Sequence, residues 1–195
     1  MENNLTLMRI ISGDLKGKKL FFLNTKTTRP LRDIVKESIF NVIFHSHLME
    51  VKLKDSKVLD LYSGIGSFGL EFISRGASQV SFVENNKQAL ALLKKNIENI
   101  DIKNKTSLYQ ETVSSFINQS DLNLKYDIIF FDPPFADKFF IEELKLIRDK
   151  KIYNENHLLI IHRESGTTDE INDFIQTIVT KDYGKSKIIF GKFLT

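Results

Sequence analysis

The sequence predicts an α/β protein: a mostly parallel β-sheet with helices packed on both of its faces. Three observations carry this. From Lys57 onward, short apolar stretches alternate with longer stretches of helical periodicity, the strand–helix order of a doubly wound sheet. The short stretches, among them "KVLDLY", "YDIIFFDPPF" and "HLLIIHRE", are apolar almost without interruption, as strands covered on both faces must be. The 195 residues, 42% of them hydrophobic, suffice for one core with a small appendage.

Taken in order, "RIISGDLKGKKLFF" reads as two strands around a Gly-Asp-Leu-Lys-Gly turn, a hairpin with its basic residues on the turn and second strand. Residues 1–28 are expected to form this hairpin extension and residues 29–195 the main domain, a single compact unit overall, with Lys16, Lys18 and Lys19 projecting from it. In "TRPLRDIVKESIFNVIFHSHL", Pro30 stands near a helix start, and Leu31, Ile34, Val35, Ile39, Val42 and Ile43 recur at helical spacing. That face docks, and Arg29, Arg32 and Lys36 fall on another. "KVLDLY" is a buried strand, residues 67–75 a helix, "VSFVE" a second strand and residues 86–99 a second helix. A short strand follows at "TSLY", then an amphipathic helix over residues 112–119. "YDIIFFDPPF" is the most apolar strand and ends in a Pro-Pro turn. After the strand "HLLIIHRE", the tail "FIQTIVTKDYGKSKIIFGKFL" is a helix or strand running into a closing hairpin at Tyr183–Gly184.

Composition removes several classes of chemistry. With no cysteine there is no disulfide, thiolate zinc site or cysteine nucleophile. The four histidines, His45, His47, His157 and His162, form no metal-spaced cluster with nearby acids, so no metal is expected. No stretch approaches the ~20 apolar residues that cross a bilayer, and Met1–Leu7 lacks a secretory pattern, which points to the cytoplasm. The formal net charge of +3 is unevenly spread. Residues 9–36 carry eight Lys or Arg against Asp14 and Asp33, a net of +6 that leaves −3 for the rest. An N-terminal surface facing a polyanion, or a merely solvated face of lysines, would each produce this asymmetry.

"LDLYSGIGSFG" holds Gly64, Gly66 and Gly69 in the spacing of loops that cradle a dinucleotide. Glycine lets any ligand approach the backbone, so charge has to choose between ligands. NAD would set a pyrophosphate on the helix N-terminus, where the Asp60 carboxylate is repulsive. S-adenosylmethionine carries a sulfonium and an ammonium instead, and for it an acid at the strand end is an asset. Glu84, ending the next strand, is where an acid accepting ribose hydroxyls belongs, for either cofactor. Capping of the loop by Asp60 and a surface position for Glu84 are the plainer alternatives. Gly69 is expected mainly to let the helix pack on the sheet.

The stretch "FFDPPF" supplies Asp132, Pro133, Pro134 and Phe135 at the end of a neighbouring strand. Consecutive prolines fix the backbone and donate no hydrogen bonds. An exocyclic amine of a nucleobase is a poor nucleophile because its lone pair is delocalised into the ring. If the Asp132 carboxylate and the Pro133 carbonyl accept its two hydrogens, the nitrogen can pyramidalise and present that lone pair. Phe135 would stack on the base, so positioning and electrostatics carry the chemistry. A paired base would first have to be unstacked.

"MRIISGDLKGKKL", "TRPLRDIVKESIFNVI", "VLDLYSGIGSFGLEFISRGA", "FVENN", "DPPF" and "YGKSKIIFGKF" together resemble the RsmD-type family of bacterial small-subunit ribosomal RNA guanine methyltransferases, over nearly the whole chain. The resemblance implies a Rossmann-like class I S-adenosylmethionine-dependent methyltransferase domain with a seven-stranded sheet and an N-terminal hairpin. It implies methylation of a guanine exocyclic amine in 16S ribosomal RNA already carrying ribosomal proteins, by a monomer. Carried over by position, Asp60, Gly64, Gly66 and Glu84 would bind the cofactor, with Ser63 of the same loop, and Asp132, Pro133, Pro134 and Phe135 the guanine; from the charge asymmetry, Arg9, Lys16, Lys18, Lys19, Arg29 and Arg32 are expected to meet the RNA. The chain departs from the family pattern at Leu31, which replaces a threonine, and at Ile34 and Lys36, which replace two arginines. An Asp-Ala pair expected near the adenine is absent from "YQETVSSF", where Glu111 or Thr112 would substitute. Adenine methylation on DNA or RNA, which the same turn could serve, and a non-catalytic RNA-binding assembly factor are the competing functions.

Overall fold

A computed structural model describes residues 5–23, 33–46, 50–120, 124–137 and 139–194. The expected RNA contacts Arg29 and Arg32, with Pro30 and Leu31, lie outside these residues. The hairpin consists of β1 (Leu5–Arg9) and β2 (Lys19–Leu23), antiparallel, with Arg9 opposite Lys19. Helix α1 (Asp33–His45) follows, then β3 (Lys57–Leu61), α2 (Ser67–Ser74), β4 (Gln79–Val83), α3 (Lys87–Ile100), β5 (Thr106–Tyr109), α4 (Val113–Gln119) and β6 (Tyr126–Phe131). The chain ends with α5 (Phe140–Lys150), β7 (Tyr153–Glu164), β8 (Ile175–Tyr183) and β9 (Ser186–Phe193). Seven strands form the central sheet in the order β5-β4-β3-β6-β7-β9-β8.

From β5 to β7 every pairing is parallel, and β9 and β8 are added antiparallel through the closing hairpin. Alternate residues of each central strand enter different cores, which is why the runs look uniformly apolar. Val58, Ile128 and Leu158 join a core beneath the hairpin, α1, α2 and α3, whereas Leu59, Ile129 and Leu159 face α4 and α5. The ambiguous tail segment is the strand β8. Helix α5 escaped the sequence reading, although Phe140, Leu144 and Ile147 recur at helical spacing and are buried. The chain runs outward from β3 to β5 and then crosses back to β6. This reversal opens a crevice beyond the carboxyl ends of β3 and β6, where a doubly wound sheet takes its ligands.

The hairpin does not project freely, because three sets of polar contacts dock it. Gly13, at φ +81°, brings the turn so close that a Cβ there would lie 1.9 Å from Ser74 O. Asp14 N–H donates to that carbonyl (2.7 Å) and Leu15 N–H to Ser74 Oγ (3.0 Å). Further along, Phe21 N–H donates to Asn96 Oδ1 (2.7 Å), and Asn96 Nδ2 donates to Phe21 O (3.1 Å) and to Ile65 O of the glycine loop (3.2 Å).

The third set corrects the place expected for Lys36, which is fully buried, while Ile34 is 65% exposed. Position 36 faces α2, where Lys36 Nζ lies 3.7 Å from Glu71 Oε1 and 3.3 Å from Asp33 Oδ1. Arg75 Nη2 lies 3.4 Å from Glu71 Oε2, with its guanidinium 4.1 Å over the Phe40 ring. Glu71 Oε1 also accepts Ile11 N–H of the hairpin at 2.6 Å. Burial pushes the Glu71 carboxyl up, against the pull of the Ile11 amide, Lys36 and Arg75. Removing one partner of such a cluster strands the others without water. Lys36→Ala is therefore expected to cost about 3–5 kcal/mol in urea unfolding, and Lys36→Arg to be tolerated. A loss under about 1 kcal/mol for Lys36→Ala would show that the cluster does not hold the hairpin.

Candidate active site

Beyond β3 the backbone turns sharply through Tyr62 (φ +60°), Gly64 (φ +55°) and Gly66 (φ +78°) into α2. Ser63 is fixed against β4, its N–H (3.1 Å) and hydroxyl (3.3 Å) both donating to Val83 O. Glu84, one residue past β4, spends its two oxygens on Gly64 N–H and Asn86 N–H, each at 2.7 Å. Asp60 is buried, and its Oδ2 accepts Gly69 N–H from the first turn of α2 at 2.9 Å. A Cβ on Gly69 would lie 2.3 Å from Phe82 Cε1 and 2.7 Å from Asp60 Oδ2, so this glycine serves helix packing, as the sequence suggested. At Gly64 a Cβ would meet nothing within 4 Å, so this side of the loop is open.

These contacts decide what the loop can hold. Burial pushes the Asp60 carboxyl well above the usual carboxylate range, the Gly69 amide opposes this, and the negative charges of Asp132 and Glu84 add to it. Three acids thus converge at the carboxyl ends of β3, β4 and β6. Two amides that a phosphate would seek, those of Gly64 and Gly69, already serve carboxylates. Neither of these amides is left for a pyrophosphate.

The Asp-Pro-Pro-Phe turn follows β6 alongside. Asp132 N–H reaches Leu61 O of β3 at 3.4 Å, which ties the turn to the start of the glycine loop. Pro133 is buried; Pro134 and Phe135 are exposed. Pro134 O accepts Asp137 N–H (2.8 Å), and Asp137 Oδ1 accepts Phe139 N–H (2.7 Å), closing the turn onto α5. The Tyr62 hydroxyl lies 2.6 Å from Glu143 Oε2 and 3.1 Å from Asp137 Oδ2, and Ser114 Oγ donates to Glu143 Oε1 at 2.9 Å. Burial pushes the Glu143 carboxyl up, with the Tyr62 and Ser114 hydroxyls opposing. Tyr62, Ser114, Asp137 and Glu143 escaped the sequence reading because nothing local marks residues 20 or more apart as partners.

His162 was also missed. It stands one residue beyond Ile161, which pairs with Phe131, and its Nδ1 lies 2.7 Å from Asp132 Oδ1. Its signal was a polar residue ending an apolar run. Thr112 caps α4, accepting Ser115 N–H at 3.2 Å, and Glu111 accepts the Ser115 hydroxyl at 2.8 Å. Arg9, Lys16, Lys18 and Lys19 are all exposed on the hairpin, and Lys95 of α3 lies 4.1 Å over the Phe21 ring beside them. Among the described residues no group of His, Cys, Asp and Glu is placed to hold a metal ion, and no helix is long and apolar enough to cross a membrane.

Solved structures share this architecture. The Escherichia coli protein yhhF superposes with a TM-score of 0.81 at 24% identity, over 96% of this chain and 98% of that one. SMU.776, solved in complex with S-adenosylhomocysteine, gives 0.69 at 20% identity over 90% of this chain and 54% of that one. These likenesses define the fold as a doubly wound α/β sheet shared with both proteins. More narrowly, the chain belongs to the family described as conserved hypothetical protein 95, the RsmD family, which matches residues 8–192. A curated relative, the ribosomal RNA small subunit methyltransferase D of Buchnera aphidicola subsp. Baizongia pistaciae, is 30% identical over 99% of this chain and 94% of its own length. The resemblance carried by the sequence motifs is borne out.

Proposed function

We propose that this protein is an S-adenosylmethionine-dependent methyltransferase acting on the exocyclic amine of a guanine in small-subunit ribosomal RNA. The observation that carries the proposal is Asp132 at the mouth of the crevice, beside the glycine loop and ahead of two prolines and an exposed Phe135. The cofactor is S-adenosylmethionine, and ribosomal RNA is the substrate of relatives named for that activity. The acceptor is RNA in an assembling subunit with its proteins in place, and the enzyme acts in the cytoplasm as a monomer that needs no metal.

The acids and glycines fit the cofactor. Glu84 keeps lone pairs for ribose hydroxyls while it holds the loop, the open side of Gly64 admits close approach, and Asp60 holds the first turn of α2 beneath. Ser63 shapes the same loop, Gly66 turns it, and Thr112, or Glu111 beside it, would meet the adenine. When bound, S-adenosylmethionine supplies an electrophilic methyl group. The remaining requirements fall on the chain. Asp132 and the Pro133 carbonyl accept the amine hydrogens, so that the lone pair leaves conjugation and points toward the glycine-loop side. Phe135 stacks on the base and fixes its plane. Arg9, Lys16, Lys18 and Lys19, with Arg29 and Arg32, meet the phosphates.

Glu84→Ala should weaken S-adenosylhomocysteine binding by ~1.5–3 kcal/mol, roughly 10- to 150-fold in calorimetry, since charged hydrogen bonds are lost. NAD binding tighter than S-adenosylhomocysteine would exclude this cofactor assignment. Asp132→Ala should abolish methyl transfer, followed by mass spectrometry of RNA nucleosides, and leave cofactor affinity within a few-fold, because its partner is the amine. Near-normal turnover would remove Asp132 from the chemistry, and methyladenosine as product would transfer the proposal to adenine. Lys16, Lys18 and Lys19 changed together to Gln should weaken RNA binding most at low salt. The salt slope should fall by about 0.7 per lost contact on single strands and about 0.9 on duplex. Unchanged binding at every salt concentration would make the hairpin a solubilising face.

A further inference from the structure

The geometry points to His162 as the residue that positions both working groups of the proline turn, an inference that rests on the methyl-transfer function proposed above. β7 runs parallel to β6 with Ile161 opposite Phe131, and the next residue of each strand, His162 and Asp132, meet as they leave that pairing. His162 Nδ1 lies 2.7 Å from Asp132 Oδ1, and Nε2 lies 2.9 Å from Ser186 Oγ at the start of β9. The ring also packs against Phe135, with centroids 5.2 Å apart and planes at 74°. The imidazole is thus held by a carboxylate, a hydroxyl and an aromatic ring at once. Its side chain is 11% exposed and that of Asp132 32%, so the histidine is the strut and the carboxylate the group presented outward.

The chemistry of the contacts fixes their sense. A carboxylate only accepts, so the proton between Asp132 and His162 belongs to Nδ1; in the neutral ring Nε2 then accepts the Ser186 hydroxyl proton. A lone carboxylate turns freely about its last side-chain bond, since such torsions have broad minima. With Oδ1 fixed by the imidazole, the plane of the group is set and Oδ2 is the oxygen left to meet the amine. Phe135, packed against the same ring, is held relative to that plane. One histidine thereby sets the angle between the acceptor and the stacking platform, an alignment on which amine reactivity depends.

The order carboxylate, imidazole, hydroxyl is also that of a hydrolytic triad. Ser186, however, lies in the sheet with Glu164 opposite on one side and Tyr183 on the other, not on an elbow that presents its oxygen beside free amides. The serine orients the histidine, and His162 is a positioning residue.

Three substitutions test this. In His162→Asn the amide nitrogen takes the place of Nδ1 and keeps a donor toward Asp132, whereas in His162→Gln it reaches the place of Nε2, and His162→Ala has neither. Single-turnover methylation of small-subunit RNA–protein particles gives the maximal rate, and calorimetry with S-adenosylhomocysteine and thermal unfolding report on the rest of the molecule. Ala and Gln should lower the maximal rate about 10- to 100-fold, and Asn by no more than about three-fold. All three should raise the KM for RNA through Phe135 and leave S-adenosylhomocysteine affinity within two-fold. A normal rate in the Ala variant, or an Asn variant as slow as Ala and Gln with equal stability, overturns the inference. Nitrogen-15 NMR of the wild-type His162 ring needs neither turnover nor a variant. A proton on Nδ1 is expected, and a bare Nδ1 overturns the contact. Normal turnover of Asp132→Ala with a protonated Nδ1 in the wild type would instead defeat the role proposed for the turn and leave the His162 contact standing.

Discussion

Asp60 sits beneath the first turn of α2 with its carboxyl on the Gly69 amide, and the rest of the site is arranged around that buried acid. A helix N-terminus preceded by glycines is ordinarily a ready anion site, because its amides point outward unsatisfied. Asp60 takes one of those amides and Glu84 takes the amide of Gly64. The loop is thereby held in place while the amides that would draw an anion are occupied. Gly69 makes this possible, since any side chain there would strike both Phe82 and the Asp60 carboxylate.

Two further polar clusters transmit this arrangement outward. On one face of the sheet, Glu71, Lys36 and Arg75 join α1, α2 and the hairpin amide of Ile11. On the other, Tyr62, Glu143, Asp137 and Ser114 join the end of β3 to α4, α5 and the proline turn. Each cluster places ionisable groups where water is scarce, so a missing partner leaves a costly unpaired charge and the elements hold fixed relations. Glycine loop, proline turn and basic hairpin are carried on separate segments, but Leu61 O accepts the Asp132 amide of the turn, Ser74 O accepts the Asp14 amide of the hairpin, and Ile65 O of the loop accepts Asn96 of α3. Asn96 matters most here, since one side chain bonds both the hairpin strand and the glycine loop.

Much of this was legible in the chain itself. The continuous apolarity of "KVLDLY", "YDIIFFDPPF" and "HLLIIHRE" reports burial on both faces, which only a covered sheet provides, and it located those three strands. The glycine loop, Glu84 and the proline turn were legible because each requirement is local. A turn needs φ values that glycine tolerates, a strand end exposes the residue after it, and two prolines stiffen any backbone. Helix α5 had an equally local signal in Phe140, Leu144 and Ile147. Lys36 could not be placed that way, for helical periodicity assigns a lysine to the wet face and knows nothing of Glu71 across the gap.

By itself, then, the sequence determined the sheet, the order of loop and acids along it, and the position of the proline turn, because these depend on periodicity and on neighbours in the chain. Tertiary structure alone decided which acids meet which amides, that Lys36 is an internal cation, and that His162 and Ser186 stand behind Asp132. The last two arise from the packing of α1 on α2 and from the strand order β6-β7-β9, which bring together residues 24 to 35 positions apart, and the pairing of β3 with β4 brings Glu84 to Gly64, 20 positions away. A hydrogen bond between such residues is set by the register of elements against one another, and no window of neighbouring residues contains that register.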